Sequence, residues 1–133
     1  MQPVVLGEQS GQASALKMAF ASYQKVSRTL AALALADDHD VTEALLTEAR
    51  HMPGDILANR GYLPSVAARA WRWAPEMREV ADTLTARYLP SDLALATAEV
   101  LQRWADTTTD HTTDPTTTVQ HLHGPQQLPH VAM

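Results

Sequence analysis

Between Gly11 and Ala36 the chain carries no proline and, after Gly11, no glycine. Alanine and leucine dominate the stretch, and both lose little conformational freedom on entering a helix. A helix of about 26 residues is predicted, roughly 39 Å long at about 1.5 Å per residue. Ser10 is placed to cap its start. Asp37-Asp38-His39-Asp40 is placed to stop it, because acidic side chains oppose the negative end of the helix dipole and favour turns. Leu16, Phe20, Tyr23, Val26, Leu30 and Leu33 recur at steps of three and four, and Ala19, Ala31, Ala32 and Ala34 widen that stripe. A helix apolar over most of its circumference is expected at the centre of a helical domain. Lys17 breaks the pattern, in line with Ala21, Gln24 and Arg28 along one narrow polar seam.

Proline and glycine punctuate the chain beyond Asp40. Residues 41–51 read as a second helix, stopped by Met52-Pro53-Gly54, and Asp55 is placed to cap a short segment at 56–60. Leu63-Pro64-Ser65 opens a helix over 66–73. Pro75 is expected to break it and start another over 76–89, with Met77, Val80, Ala81, Leu84 and Tyr88 inward. Pro90-Ser91-Asp92 restarts the chain as a last helix to Ala105, with Leu93, Ala96, Val100, Leu101 and Trp104 inward. The fold class predicted is all-α, about six helices around the long one, in a domain spanning 1–106. From residue 107 to 133 the composition changes: threonine occurs eight times between Thr107 and Thr118, and Pro115, Pro125 and Pro129 lie among Gln and His. Such a segment buries too little apolar area to offset its ordering entropy, so 107–133 is expected to be disordered. The lead at 1–10 holds at most a scrap of strand at Val4-Val5-Leu6.

Charge and composition exclude some functions. The net charge is −5, which argues against nucleic acid or an anionic membrane as the main partner. There is no cysteine, hence no disulfide, thiol nucleophile or Cys-ligated zinc. The most apolar run, Leu30 to Ala36, is far short of the roughly 20 residues that span a bilayer, and no signal peptide is visible. A soluble, cytoplasmic protein is expected.

Two groups carry chemistry. A lysine in a central apolar helix is costly unless paired or solvated, and partial burial lowers its pKa into the range of a general acid or base. On spacing alone, an edge position with the stem snorkelling to water outweighs that role for Lys17. Trp71, Arg72, Trp73 and Glu76 could line a cleft with Arg72 gripping a carboxylate or phosphate. One core Trp beside one partner-facing Trp accounts for the pattern somewhat better. His121 and His123 lack a carboxylate grouping, so no metal site is expected. No P-loop and no G-x-G-x-x-G after a strand occurs, so no cofactor-binding residue is assigned.

The run Gly11-Gln12-Ala13-Ser14-Ala15-Leu16-Lys17-Met18-Ala19-Phe20 resembles the start of the C-terminal helical domain in the 6-phosphogluconate dehydrogenase and β-hydroxyacid dehydrogenase superfamily. It is most similar to a bacterial branch of phosphogluconate dehydrogenase-like C-terminal domains. Ala70-Trp71-Arg72-Trp73, Glu76-Met77 and the final amphipathic helix look like the same branch, and the similarity covers about residues 4–106. The resemblance implies an all-α domain that follows a Rossmann domain, forms a homodimer and closes one side of a substrate cleft. It implies that Lys17, six residues after Gly11, exchanges a proton with a small hydroxyacid while hydride moves to or from NAD or NADP. Gly11, Ser14 and Arg72 would then bind substrate. Two positions depart from the pattern. Ala13 replaces a usual glycine, and Ala21 replaces a usual asparagine, so the usual substrate hydrogen bond is not expected.

The reading this supports is a substrate-side and dimerisation domain of an NAD(P)-dependent hydroxyacid-type dehydrogenase, not expected to bind the cofactor or turn over alone. A separate Rossmann-type chain is then an expected partner, and the sequence is read as a C-terminal part without its dinucleotide half. The alternative is a non-catalytic helical dimerisation module derived from such an enzyme.

Overall fold

The computed structural model describes residues 10–37, 40–52 and 54–124. They form α1 (Ser10–Ala36), α2 (Thr42–Arg50), a 3-10 turn (Arg60–Tyr62), α3 (Leu63–Ala86), α4 (Asp92–Ala105) and α5 (Pro115–Gln120), with no strand among the described residues. The protein is all-α, and two helices, α1 with 27 residues and α3 with 24, are far longer than the mean. The chain forms two compact units, Met1–Thr42 and Glu43–Met133. No helix among the described residues is long and apolar enough to cross a membrane. The lead at 1–9, the side chain of Ser10 and its expected cap, residues 38 and 39 of the acidic run, and Pro53 lie outside what is described.

The first unit is α1. Its 27 residues run unbroken, as the absence of interior breakers requires. Beyond its end Asp40 takes φ 68°, a left-handed conformation that aspartate tolerates better than most residues. The burial expected for its apolar stripe is corrected. No described α1 side chain is buried; on the stripe Leu30 is 51 % exposed, Val26 44 %, and Phe20 and Tyr23 are also open. Leu16, Ala21, Gln24 and Leu33 are half-buried. Periodicity identifies a face that would gain by being covered, not what covers it.

The second unit is built on α3 and α4, joined by the turn at 87–91. Its core is Ala67, Ala70, Ala74, Leu101 and Trp104, with Leu63, Val66, Trp73, Met77 and Leu122 packed around it. Alanines spaced three and four apart face the partner helix, as do Ala94 and Ala98 from α4. Such small side chains let backbones approach and leave Trp104 as the largest contributor, beside Leu84 and Leu101. Burying a Trp removes about 150–250 Å² from water, worth at most roughly 4–6 kcal/mol, whereas each alanine methyl brings about 0.8. The expected α4 register is corrected accordingly: Ala96 and Val100 are exposed, and Ala94 and Ala98 take the inward positions.

Pro75 does not end a helix. α3 runs through it from Leu63 to Ala86, so the two helices expected here are one. An interior proline costs about 3 kcal/mol by removing a donor and crowding the preceding turn. Pro75 and Trp71, whose carbonyl loses that donor, are both exposed, so the carbonyl faces the solvent side. Ala70 and Ala74, fully buried, hold the helix against the core on either side of the lost bond. The segment expected at 56–60 is a turn in which the Asn59 N–H donates to Asp55 O at 3.0 Å, and the 3-10 turn after it is capped by Asn59, whose side chain accepts from the Gly61 N–H at 3.3 Å. At its other end α3 closes in a six-to-one turn: Leu89 N–H donates to Leu84 O at 2.9 Å and Tyr88 N–H to Thr85 O at 3.0 Å. Tyr88 holds the left-handed position with φ 61°.

Residues 107–124, the first part of the segment expected to be disordered, are described and include α5. Asp114 caps α5, its carboxylate accepting from the Thr117 N–H at 2.9 Å, with Pro115 in the first turn. Thr118 is fully buried, and residues 125–133 lie outside the described residues. Threonines order here because their hydroxyls bond locally instead of needing an apolar period.

Candidate functional site

The sequence-predicted residues fall into two places. Gly11, Ser14 and Lys17 lie on the first two turns of α1, and Ser14 and Lys17, three apart, share a face. All three are exposed. Gly11 has open space where a side chain would begin. Lys17 makes no hydrogen bond or ion pair among the described residues, so its charge is uncommitted there. Arg72 lies on α3 in the second unit and is exposed. Beside it Trp71 is 68 % exposed while Trp73 packs on the core, a division into one surface and one core tryptophan.

The second unit contains a groove that the sequence did not disclose. Its volume is about 420 Å³, and its walls come from Arg78 on α3 and from Leu95, Glu99, Gln102, Arg103 and Asp106 on α4 and its C-terminal end. Arg78 Nη2 donates to Gln102 Oε1 at 3.0 Å, and Gln102 Nε2 donates to Asp106 Oδ1 at 2.9 Å. Arg103 Nη1 donates to the Leu122 carbonyl at 3.1 Å. None of Gly11, Ser14, Lys17 or Arg72 lines it. The visible signal was the spacing Glu99–Arg103 and Gln102–Asp106, each four apart along one helix.

A segment after α4 straps across its end. The Trp104 indole N–H donates to the Thr118 carbonyl at 2.8 Å. The Thr107 hydroxyl donates to the Trp104 carbonyl at 2.9 Å and meets the Thr109 hydroxyl, which meets His121 Nδ1 in turn. Hydrogen bonds from Thr112 hold the Asp110 carboxyl below the usual carboxylate range, and those from Thr117 do the same for Asp114. Among the described residues no group of three or more His, Cys, Asp or Glu is placed to hold a metal ion.

A family described as "Domain of unknown function (DUF1932)" matches residues 36–104, slightly more than half of the chain. The chain belongs to the DUF1932 family. The DUF1932 stretch begins at the last residue of α1 and runs to Trp104, taking in α2, α3 and nearly all of α4. Arg72 and the groove residues up to Arg103 lie inside it, and Gly11, Ser14, Lys17 and the strap lie outside it. No curated protein and no solved structure matches the chain.

Proposed function

We propose that this DUF1932 protein is the substrate-side and dimerisation part of an NAD(P)-dependent hydroxyacid-type dehydrogenase, related to the C-terminal domains of the 6-phosphogluconate and β-hydroxyacid dehydrogenases. One observation carries the reading. Lys17 follows Gly11 by six residues on an unbroken helix, with Ser14 one turn away and the amine uncommitted among the described residues. In this reading Lys17 takes or returns the hydroxyl proton of the substrate, while Gly11 and Ser14 admit and orient it. A lysine does acid–base work only when partly desolvated. That cover comes from a second copy lying on the exposed apolar stripe of α1 and from the chain that holds the nucleotide. NAD or NADP supplies the hydride chemistry. Arg72, in the other unit, carries a planar fork suited to a carboxylate.

The test is to combine the chain with a Rossmann-type partner and assay a panel of small hydroxyacids with NAD⁺ and NADP⁺. Lys17→Ala is expected to lower turnover by about 10²- to 10⁴-fold. Unchanged turnover would remove the lysine from the chemistry and leave the non-catalytic dimerisation module, which the open α1 stripe favours. Tight binding of NADPH or NADH by the 133-residue chain alone would overturn the division of labour.

A further inference from the structure

We infer that the α3–α4 groove binds a small zwitterion, a free α-amino acid with an aliphatic side chain. This goes beyond the dehydrogenase reading and does not rest on it. The groove lies wholly within the second unit, is open to solvent, and is walled mainly by charged and polar side chains.

Its charges decide the ligand. Two guanidinium groups and two carboxylates share the groove, yet among the described residues no ion pair joins them. Glu99 and Arg103 stand four apart on α4 in the favourable order for a pair. Arg103 instead turns to the Leu122 carbonyl, and Glu99 keeps no partner among the described residues. Gln102 lies between the other two charges, taking a bond from Arg78 through its oxygen and giving one to Asp106 through its nitrogen. The amide thereby holds opposite charges apart instead of letting them collapse together. An arginine has five N–H donors, and Arg78 and Arg103 each spend one on these contacts.

A simple anion meets Glu99 and Asp106, and a simple cation meets Arg78 and Arg103. A molecule carrying both charges meets a partner for each. Its carboxylate fits the guanidinium fork, its ammonium fits Glu99, and an aliphatic side chain lies on the exposed Leu95.

The experiment titrates the full ¹⁵N-labelled chain with L-leucine, with 4-methylpentanoate, which lacks the ammonium, and with 3-methylbutylamine, which lacks the carboxylate. Leucine is expected to move the Gln102 side-chain amide and Arg78 Nε resonances saturably at about millimolar concentration. Each single-charge fragment is expected to bind at least about tenfold more weakly. Arg78→Gln and Glu99→Gln are each expected to weaken leucine by about tenfold or more, with the Trp104 indole resonance unmoved as the sign of an intact fold. No saturable shift up to about 50 mM leucine overturns the inference, as does a fragment that binds as well as leucine. Affinity indifferent to both substitutions overturns it too.

Discussion

The Trp104 indole N–H donates to the Thr118 carbonyl at 2.8 Å across fourteen residues, and both residues are buried. This bond ties the largest apolar side chain of the α3–α4 core to a segment composed mainly of threonine. Trp104 makes that segment part of the fold, because its ring needs cover and its N–H needs an acceptor. Thr118 supplies the acceptor. Its own hydroxyl donates to the Asp114 carbonyl at 2.8 Å, so no polar atom is stranded by the docking.

Trp104→Phe keeps an aromatic ring but removes the donor, leaving the Thr118 carbonyl buried and unsatisfied. That penalty is about 1–3 kcal/mol, and lost packing adds to it. A total loss of about 2–4 kcal/mol is expected in urea unfolding followed by circular dichroism. A loss within the roughly 0.5 kcal/mol typical of surface sites would show that the strap does not depend on this bond.

The strap is also expected to be acid-sensitive. The Asp110 and Asp114 carboxyls are both held below the ordinary aspartate value by hydrogen bonds, chiefly from Thr112 and Thr117 respectively. A carboxyl with a depressed folded pKa stabilises the fold fully above its unfolded value and loses that contribution as pH falls through the folded one. The Trp104 indole N–H resonance is therefore expected to hold steady from neutral pH to about 4, then shift at lower pH as α5 loosens. Asp114→Ala removes the cap and is expected to flatten that acid transition. An unchanged profile in the variant would place the sensitivity elsewhere.

The helices are readable because proline and glycine mark their limits and the chain between them is rich in alanine and leucine. Their inward faces are not. Reading α4 by the spacing of Leu93, Val100, Leu101 and Trp104 brings Ala96 and Val100 inward, whereas the helix pair closes on Ala94 and Ala98. Pro75 reads locally as a break, yet the buried Ala70 and Ala74 outweigh the lost bond. The order after residue 106 has a legible sign in Asp114-Pro115, a capping residue followed by a proline suited to a first turn. An apolar count passes over it. Of the candidate site, spacing puts Gly11, Ser14 and Lys17 on one helix but does not disclose how open they are. The groove is hidden because Glu99 and Arg103 read as a self-cancelling pair, and only the folded strap turns Arg103 away.

Tyr88 occupies a left-handed position where glycine is favoured, and its side chain is 97 % exposed. A residue with a Cβ pays roughly 1–2 kcal/mol there, partly offset by the greater freedom glycine has when unfolded. Tyr88→Gly is expected to raise stability by about 0.5–1 kcal/mol, read as a higher midpoint in thermal unfolding. A fall would mean that the ring makes a stabilising contact.

The open stripe of α1 leads to the last prediction. Val26 and Leu30 are exposed along it, with Phe20 and Tyr23. Covering a Leu or Phe side chain stabilises by about 1.5–3 kcal/mol, and about 1.4 kcal/mol is tenfold in affinity. If a second copy supplies the cover, sedimentation equilibrium should show a concentration-dependent dimer. Leu30→Glu should weaken it by at least about tenfold, because a carboxylate at that position has to be desolvated without a partner. Glu99→Gln, remote in sequence on α4, should leave the dimer unchanged and serves as the control. A chain that stays monomeric up to about 100 µM would mean that this stripe is covered by something other than its own copy.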